Sequence, residues 1–127
     1  MHAFDYATPQ SVADAVVLLN EHGENARVLA GGTDLIVQLR ENRRRAEVVV
    51  DIKGIAEANK LSYDVSSGLT IGSAVPCYRI YGDAVIAAAY PGLMDATSLV
   101  GGTGIQGRAS LGGNLCNGSP AGDTIPP

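Results

Sequence analysis

The sequence has no tryptophan, one phenylalanine and only two cysteines among its 127 residues. The cysteines, Cys77 and Cys116, are too far apart for a CxxC motif and too few to form a zinc or iron–sulfur site by themselves. We therefore expect two reduced, partly buried thiols, as is usual for cysteines in a reducing compartment. The sequence predicts no metal ligands.

Positive charge is also scarce, because 13 acidic residues outnumber 9 lysines and arginines and leave a net charge of −4. This balance argues against a nucleic-acid or anionic-membrane partner, since both need clustered positive charge. No apolar run approaches the roughly 20 residues of a membrane span. The N-terminus, Met1 to Tyr6, has no basic region followed by an apolar stretch. We therefore expect a cytoplasmic protein.

Two common nucleotide-binding arrangements, the dinucleotide-binding turn after a first strand and the P-loop, are not found. No G-x-G-x-x-G follows the first predicted strand, and no β–α–β repetition suggests a doubly wound parallel sheet. A P-loop is excluded because neither glycine-rich segment ends in Lys followed by Ser or Thr. The sequence also shows no internal repeat.

What the sequence does contain is two glycine-rich loops about eighty residues apart. The first is the run Ala30 to Asp34 (AGGTD), and the second is Gly107 to Asn114 (GRASLGGN). Glycine lets a backbone turn sharply and approach a ligand closely. Consecutive N–H groups in such turns attract anions, phosphates above all. Either loop alone is an ordinary turn signal, but the pair suggests a diphosphate held from two sides.

The first loop lies between a predicted strand and a predicted helix. Ser11 and Gly23 bound a helix over 11–22, a short strand follows at 27–30, and Thr33 or Asp34 can cap a helix through Leu39. A strand with both faces covered is predicted at 47–52. The remaining predictions are a hairpin at 61–65 and 69–73, helices at 78–90 and 93–100, and a C-terminal region that is nearly all loop.

A run of arginines follows the second predicted helix: Arg40, Arg43, Arg44 and Arg45. One interpretation is a solvated helix end, where cations suit the helix dipole. The other is a docking patch for an acidic partner.

Several segments together resemble the FAD-binding subunit of molybdenum hydroxylases, a family that includes the medium subunit of carbon monoxide dehydrogenase and the FAD-binding subunit of xanthine dehydrogenase. The resemblance runs collinearly over the whole sequence. It is carried by the opening FDY-x-x-P-x-S-x-x-DA, by AGGTDL, by VDI followed by GI, by RASLGGN, and by SP with Asp123.

The resemblance implies an α+β fold, the N-terminal part of an FAD-binding domain of the vanillyl-alcohol-oxidase (PCMH) type. It implies a first subdomain at 1–55 and the start of a second at 56–127. At about half the family's usual length, the chain is expected to lack the rest of the second subdomain and a C-terminal domain, which also contact FAD.

The resemblance also implies which residues bind FAD. Main-chain amides of the first loop would hold the diphosphate, and the second loop would approach the flavin from the other side. Asp123 would accept a ribityl or ribose hydroxyl, and Leu29 would pack beside the cofactor. The expected cofactor-binding residues are Leu29, Ala30, Gly31, Gly32, Thr33, Asp34, Ser110, Leu111, Gly112, Gly113, Asn114 and Asp123.

In such enzymes, electrons pass from a molybdenum cofactor on a large subunit, through [2Fe–2S] clusters on a small subunit, to FAD. The flavin then passes them to NAD, a quinone or another acceptor. Flavin carries the redox chemistry, so no catalytic residue is expected in this chain. The alternative is a truncated, non-catalytic interaction module that docks on the iron–sulfur and molybdenum subunits without binding flavin.

Overall fold

The computed structural model describes all residues from Met1 to Pro127. Strands and helices are mixed, which confirms the predicted α+β class. The strands are β1 (Asp5–Ala7), β2 (Ala26–Leu29), β3 (Val48–Asp51), β4 (Leu61–Asp64) and β5 (Gly68–Ile71). The helices are α1 (Val12–His22), α2 (Leu35–Arg40), α3 (Cys77–Tyr81), α4 (Ala84–Ala89), α5 (Pro91–Leu99), α6 (Thr103–Gln106) and α7 (Leu111–Asn117).

The first three strands form a parallel sheet in the order β1-β3-β2, and α1 and α2 connect them. The expectation of no β–α–β repetition was therefore wrong. The sequence concealed β1, because this strand has only three residues, and Asp5 and Tyr6 within it are exposed. A strand this short and this exposed shows no alternating apolar pattern.

The central strand, β3, is buried along its whole length. Its residues Val48 and Val50 contact one hydrophobic cluster, and Val49 contacts another, so both faces of the sheet are covered as predicted. Helix α1 also begins and ends where predicted. The Ser11 hydroxyl accepts a hydrogen bond from the Asp14 amide at 3.1 Å, and Gly23 at its end has a φ of +51°.

The hairpin β4–β5 is antiparallel. Strand β4 ends one residue earlier than predicted, and β5 begins one residue earlier and ends two residues earlier. Its apolar side chains pack against a second core formed by Val75, Ile80 and Ile86. The parallel sheet lies within residues 5–51 and the hairpin within 61–71, so the expected subdomain boundary at residue 55 falls between them. The boundary itself stays a prediction.

The single helix predicted at 78–90 is two helices, α3 and α4, separated by Gly82 and Asp83. The carboxylate of Asp83 accepts hydrogen bonds from the amides of Val85 and Ile86 at 3.0 and 3.1 Å. Aspartate is a strong N-cap residue, so it begins a new helix rather than continuing the old one.

The C-terminal region is also less irregular than predicted. It contains α6 and α7, and the glycine pair of the second loop lies inside the first turn of α7. Glycine has low helix propensity, which is why the pattern indicated a loop. The Ser110 hydroxyl compensates by accepting a hydrogen bond from the Gly113 amide at 3.1 Å.

Candidate functional site

The two glycine-rich loops meet in the folded chain. The first follows β2 and leads into α2, and the second leads into α7. A methyl group on Gly31 would overlap the carbonyl oxygen of Arg108, so the backbones of the two loops are in direct contact. Together they line a cavity of about 410 Å³. This volume lies within the range of small-molecule sites, roughly 300 to 1,000 Å³.

Nine of the twelve predicted binding residues line this cavity. They include all five predicted residues of the first glycine loop and four of the five predicted residues of the second. These residues are Ala30, Gly31, Gly32, Thr33, Asp34, Ser110, Gly112, Gly113 and Asn114. Their role in cofactor binding stays a prediction.

Five backbone N–H groups at this cavity have no hydrogen-bond partner within the chain. The amides of Gly31, Gly32, Thr33 and Asp34 donate to no acceptor within the chain, and neither does the amide of Gly112. Helices α2 and α7 begin here, and the first amides of a helix have no partner within it. Such a set of free donors, contributed by two loops to one cavity, suits an anion such as phosphate.

The remaining three predicted residues lie outside the cavity lining. Leu29 is buried in the core on one side of the sheet, with Leu39 and Val49. Leu111 packs against the second core, and Asp123 is exposed. The structure therefore does not place these three side chains where they would contact a ligand in the cavity.

Three glycines of the two loops, Gly31, Gly32 and Gly112, are required by the fold itself. Gly32 has a φ of +83°, and a methyl group there would lie 2.8 Å from the Leu29 side chain. A methyl group on Gly112 would lie 2.6 Å from the Ser73 backbone. A β-branched residue at Gly32 would thus strain the fold whether or not phosphate binds. If such a variant lost flavin, the cause could be the strained fold, so the loss would not locate the phosphate-binding site.

Two polar side chains of the second loop are engaged in local structure. Ser110 is buried and caps α7 through the Gly113 amide. The Asn114 carbonyl accepts hydrogen bonds from the Thr124 amide at 3.2 Å and the Thr124 hydroxyl at 2.6 Å. By contrast, the Thr33 hydroxyl makes no hydrogen bond within the chain. Asp34 occupies the N-cap position of α2 without a side-chain cap.

Sequence reasoning missed several cavity residues, of which five are polar: Arg27, Gln38, Arg44, Ser73 and Asn117. A signal for Gln38 was available, since it lies one helical turn beyond Asp34 and shares its face. None was available for Asn117, because α7 was not predicted. Arg44 was noted only as part of the exposed arginine run, and its position beside the cavity depends on the turn after α2.

That turn is tightly ordered. The Arg43 amide donates to the Gln38 carbonyl at 2.9 Å, and the Asn42 amide donates to the Leu39 carbonyl at 3.2 Å. Asn42 has a φ of +58°. These are the bonds of a Schellman motif with asparagine in the left-handed position. The turn gives the following arginines a defined direction.

A buried carboxylate lies at the carboxyl end of β3. Asp51 accepts hydrogen bonds from the Tyr6 hydroxyl, from the Lys53 amide at 2.9 Å and from the Lys53 ammonium group at 2.6 Å. Burial alone would raise the pKa of Asp51, but the hydrogen bonds from Lys53 and Tyr6 outweigh it and hold that pKa below its usual range. The same hydrogen bond to Asp51 raises the pKa of Tyr6.

Other features of the chain offer no further chemistry. Cys77 is buried, and burial raises the pKa of its thiol, whereas Cys116 is exposed rather than partly buried. No three His, Cys, Asp or Glu side chains come together as a set of metal ligands. None of the helices is both long and apolar enough to span a membrane.

Comparison with known proteins identifies the family. The model of the FAD binding domain in molybdopterin dehydrogenase matches residues 2–127. The chain belongs to this family. The resemblance inferred from the glycine loops is thereby confirmed, and it extends over nearly all of the sequence.

Curated relatives of this FAD-binding domain include a xanthine dehydrogenase FAD-binding subunit of Escherichia coli. The two sequences are 35% identical. The aligned region includes 98% of this chain but only 43% of the E. coli subunit. The carbon monoxide dehydrogenase medium chain of Afipia carboxidovorans is 33% identical over 95% of the chain, which covers 42% of it. The domain thus spans less than half the length of these relatives.

A solved structure shows the same fold. A chain of reconstituted CO dehydrogenase from Oligotropha carboxidovorans matches 97% of this FAD-binding domain with a TM-score of 0.91 and 32% identity, and 43% of that chain is covered. Each of these curated relatives is named as a subunit or chain of a dehydrogenase, as is the nicotinate dehydrogenase FAD-subunit of Eubacterium barkeri.

Proposed function

We propose that the cavity between the two glycine loops binds FAD, with the diphosphate at the free amides of both loops. The observation that carries this proposal is the set of unpartnered N–H groups of Gly31, Gly32, Thr33, Asp34 and Gly112 around one cavity. Oriented amide dipoles stabilise phosphate charge without a cationic side chain at each oxygen. When bound, FAD supplies the redox chemistry, and these residues hold and orient it.

We further propose that the chain is part of an electron-transfer subunit. In this scheme a molybdenum centre and [2Fe–2S] clusters on partner subunits deliver electrons to the FAD, and NAD, a quinone or another acceptor removes them. The support is family membership and the names of the relatives, which include xanthine and carbon monoxide dehydrogenases. The chemistry on the substrate would occur on a partner subunit.

Flavin content tests the binding proposal. Freshly purified chain is reconstituted with FAD, washed, and assayed for flavin by acid release and chromatography against FAD and FMN standards. We expect FAD to be retained. The variant Thr33→Glu should release it, because a carboxylate beside the diphosphate adds like-charge repulsion.

Thr70→Glu is the matched control, since Thr70 is exposed on β5 and lies outside the cavity. It makes the same change of charge and should retain FAD like the unmodified chain. Equal retention of FAD by the two glutamate variants would contradict the proposed site. Failure of the unmodified chain to retain FAD under any condition would contradict binding by this length of polypeptide.

A second candidate function rests on the arginine turn (residues 40–45). Arg43 is paired with Glu41 at 2.6 Å, whereas Arg40, Arg44 and Arg45 form no ion pair. The Schellman motif orders this turn, which suits docking on an acidic surface of a partner subunit. In this case, Arg40→Glu with Arg45→Glu should abolish association with the iron–sulfur subunit while leaving flavin content unchanged. Retained association would exclude the docking role.

A further inference from the structure

Helix α1 presents apolar side chains to solvent on the side that faces away from the sheet. Its inner side packs on the core through Ala15. The outer side of such a helix is ordinarily polar. Here it carries three valines that are about half exposed: Val12 at 50%, Val16 at 46% and Val17 at 62%. Exposed apolar patches with a polar rim are typical of surfaces that bind another protein chain.

Unpaired carboxylates lie along one edge of these valines. Asp14 and Glu21 are one helical turn before and one turn after Val17, so the three residues share one side of the helix. Neither carboxylate forms an ion pair. No lysine or arginine precedes Arg27 in the sequence, so this segment supplies no cation of its own. The α1 outer face consists of Val12, Val16 and Val17 with Asp14 and Glu21.

An open groove adjoins this face. It is lined by Val17 and Leu18 of the helix, by Asp14, and by the segment from Thr8 to Gln10. A side chain that enters the groove meets an apolar wall and a carboxylate together. The face therefore fits a partner that presents an apolar side chain beside a cation.

Helix α2 of the same chain presents that combination. Ile36 is 38% exposed, and Arg40 lies one helical turn farther along the same side of the helix. Arg40 is exposed and forms no ion pair. It is also the first residue of the arginine turn, so further positive charge follows it. The α2 basic face consists of Ile36 and Arg40.

The two faces lie on opposite sides of the parallel sheet. Helix α1 packs on the cluster that contains Val48 and Val50, whereas α2 packs on the cluster that contains Val49. Successive residues of a strand point to opposite sides of a sheet. One copy of the chain therefore cannot bring its own two faces together, but two copies can.

We propose that the α1 outer face binds the α2 basic face of a second copy of this chain. Val17 lies against Ile36 in this contact, and the carboxylates of Asp14 and Glu21 face Arg40. The contact joins two different surfaces, so it is head-to-tail and leaves one face of each kind open for a further copy. The chain thus assembles into rings or filaments. This inference does not depend on FAD binding.

Sedimentation velocity of the purified chain, at increasing protein concentration and at low and high salt, tests the inference. We expect the mean mass to rise with concentration at low salt. High salt should weaken the association, because it screens exposed charges. A chain that stays monomeric at every concentration in low salt would overturn the inference and leave the α1 outer face to a different protein partner.

Single charge changes locate the contact. Val17→Lys places a cation opposite Arg40, and Arg40→Glu places a carboxylate opposite Asp14 and Glu21. Each should weaken association at least about tenfold, because like charges then face each other across the interface.

Each variant has a matched control outside both faces. Val85→Lys on α4 makes the same change as Val17→Lys at a residue that is 60% exposed. Lys60→Glu makes the same change of charge as Arg40→Glu at another exposed cation. Both controls should associate like the unmodified chain. Equal association by a variant and its control would overturn the inference.

A mixture of the two variants gives the most specific result. The Val17→Lys chain keeps its α2 basic face, and the Arg40→Glu chain keeps its α1 outer face. Each variant alone should be monomeric, whereas the mixture should form a one-to-one heterodimer and nothing larger. A mixture that stays monomeric would overturn the inference.

The same variants separate this inference from the second candidate function. Val17 lies outside the arginine turn, so Val17→Lys should prevent self-association without affecting any docking of that turn on the iron–sulfur subunit. The failure of either proposal therefore does not decide the other.

Discussion

Gly31 and Arg108 are in direct backbone contact, and no side chain fits between them. A methyl group on Gly31 would lie 2.8 Å from the carbonyl carbon of Arg108 and would overlap its oxygen. This contact joins the two glycine loops, which are about eighty residues apart in sequence. The cavity between the loops therefore depends on the absence of a side chain at position 31.

Gly31→Ala should separate the loops and destabilise the fold. We expect a loss of about 1 to 3 kcal/mol, the usual cost of forcing an extra methyl group into a packed site. The measurement is the midpoint of urea unfolding. Gly104→Ala is the matched control, because a methyl group there meets nothing within 4 Å and alanine favours its helix. An unchanged midpoint for Gly31→Ala would show that the loops can shift at no cost.

Thr33→Val should weaken FAD binding without changing stability. The Thr33 hydroxyl makes no hydrogen bond within the chain, so its removal should alter the free energy of unfolding by less than about 0.5 kcal/mol. Loss of one hydrogen bond to phosphate should raise the dissociation constant of FAD about tenfold. Titration calorimetry measures the affinity, with Thr70→Val as the control. An unchanged dissociation constant would show that the Thr33 hydroxyl does not contact FAD.

Asp51→Asn should destabilise the chain at neutral pH by about 1 to 3 kcal/mol, because a buried acceptor of three hydrogen bonds loses its charge. The pKa of Asp51 is lower in the folded chain than in the unfolded chain. Its contribution to stability is thus complete above the unfolded pKa, about 4, and is lost as the pH falls through the folded value.

Unfolding by urea between pH 3 and pH 7 checks this prediction. The stability of Asp51→Asn should fall less steeply at acid pH than that of the unmodified chain. Asp95→Asn is the control, because Asp95 is exposed and its carboxylate makes no hydrogen bond. Parallel pH profiles for Asp51→Asn and the unmodified chain would disprove the role of this carboxylate.

Ser110→Ala should lower stability by about 1 kcal/mol, the typical cost of losing an N-cap. The Ser110 hydroxyl accepts the Gly113 amide and is the only side-chain cap of α7. Thermal unfolding measures the change, and Ser62→Ala on β4, which is exposed, is the control. Equal melting temperatures for the two variants would indicate that α7 does not need this cap.

Local signals predicted the elements whose patterns are self-contained. Ser11 and Gly23 bound α1, and Val48 to Val50 form a buried strand, because caps and apolar runs act within a few residues. Local signals did not predict β1 or α7. Strand β1 is held by its pairing with β3, and α7 contains two glycines whose low propensity is offset by the Ser110 cap and by packing of Gly112 against Ser73.

The family and the two glycine loops can be identified from the sequence, since both depend on residue types in a fixed order. The surroundings of the loops depend on how distant segments pack. The tertiary structure placed Leu29 in the core and brought Gln38 and Asn117, remote in sequence, into one cavity. It also showed that Gly31 and Gly112 accommodate neighbouring backbone. Long-range packing sets these relationships, and a local pattern carries no information about the partner across a contact.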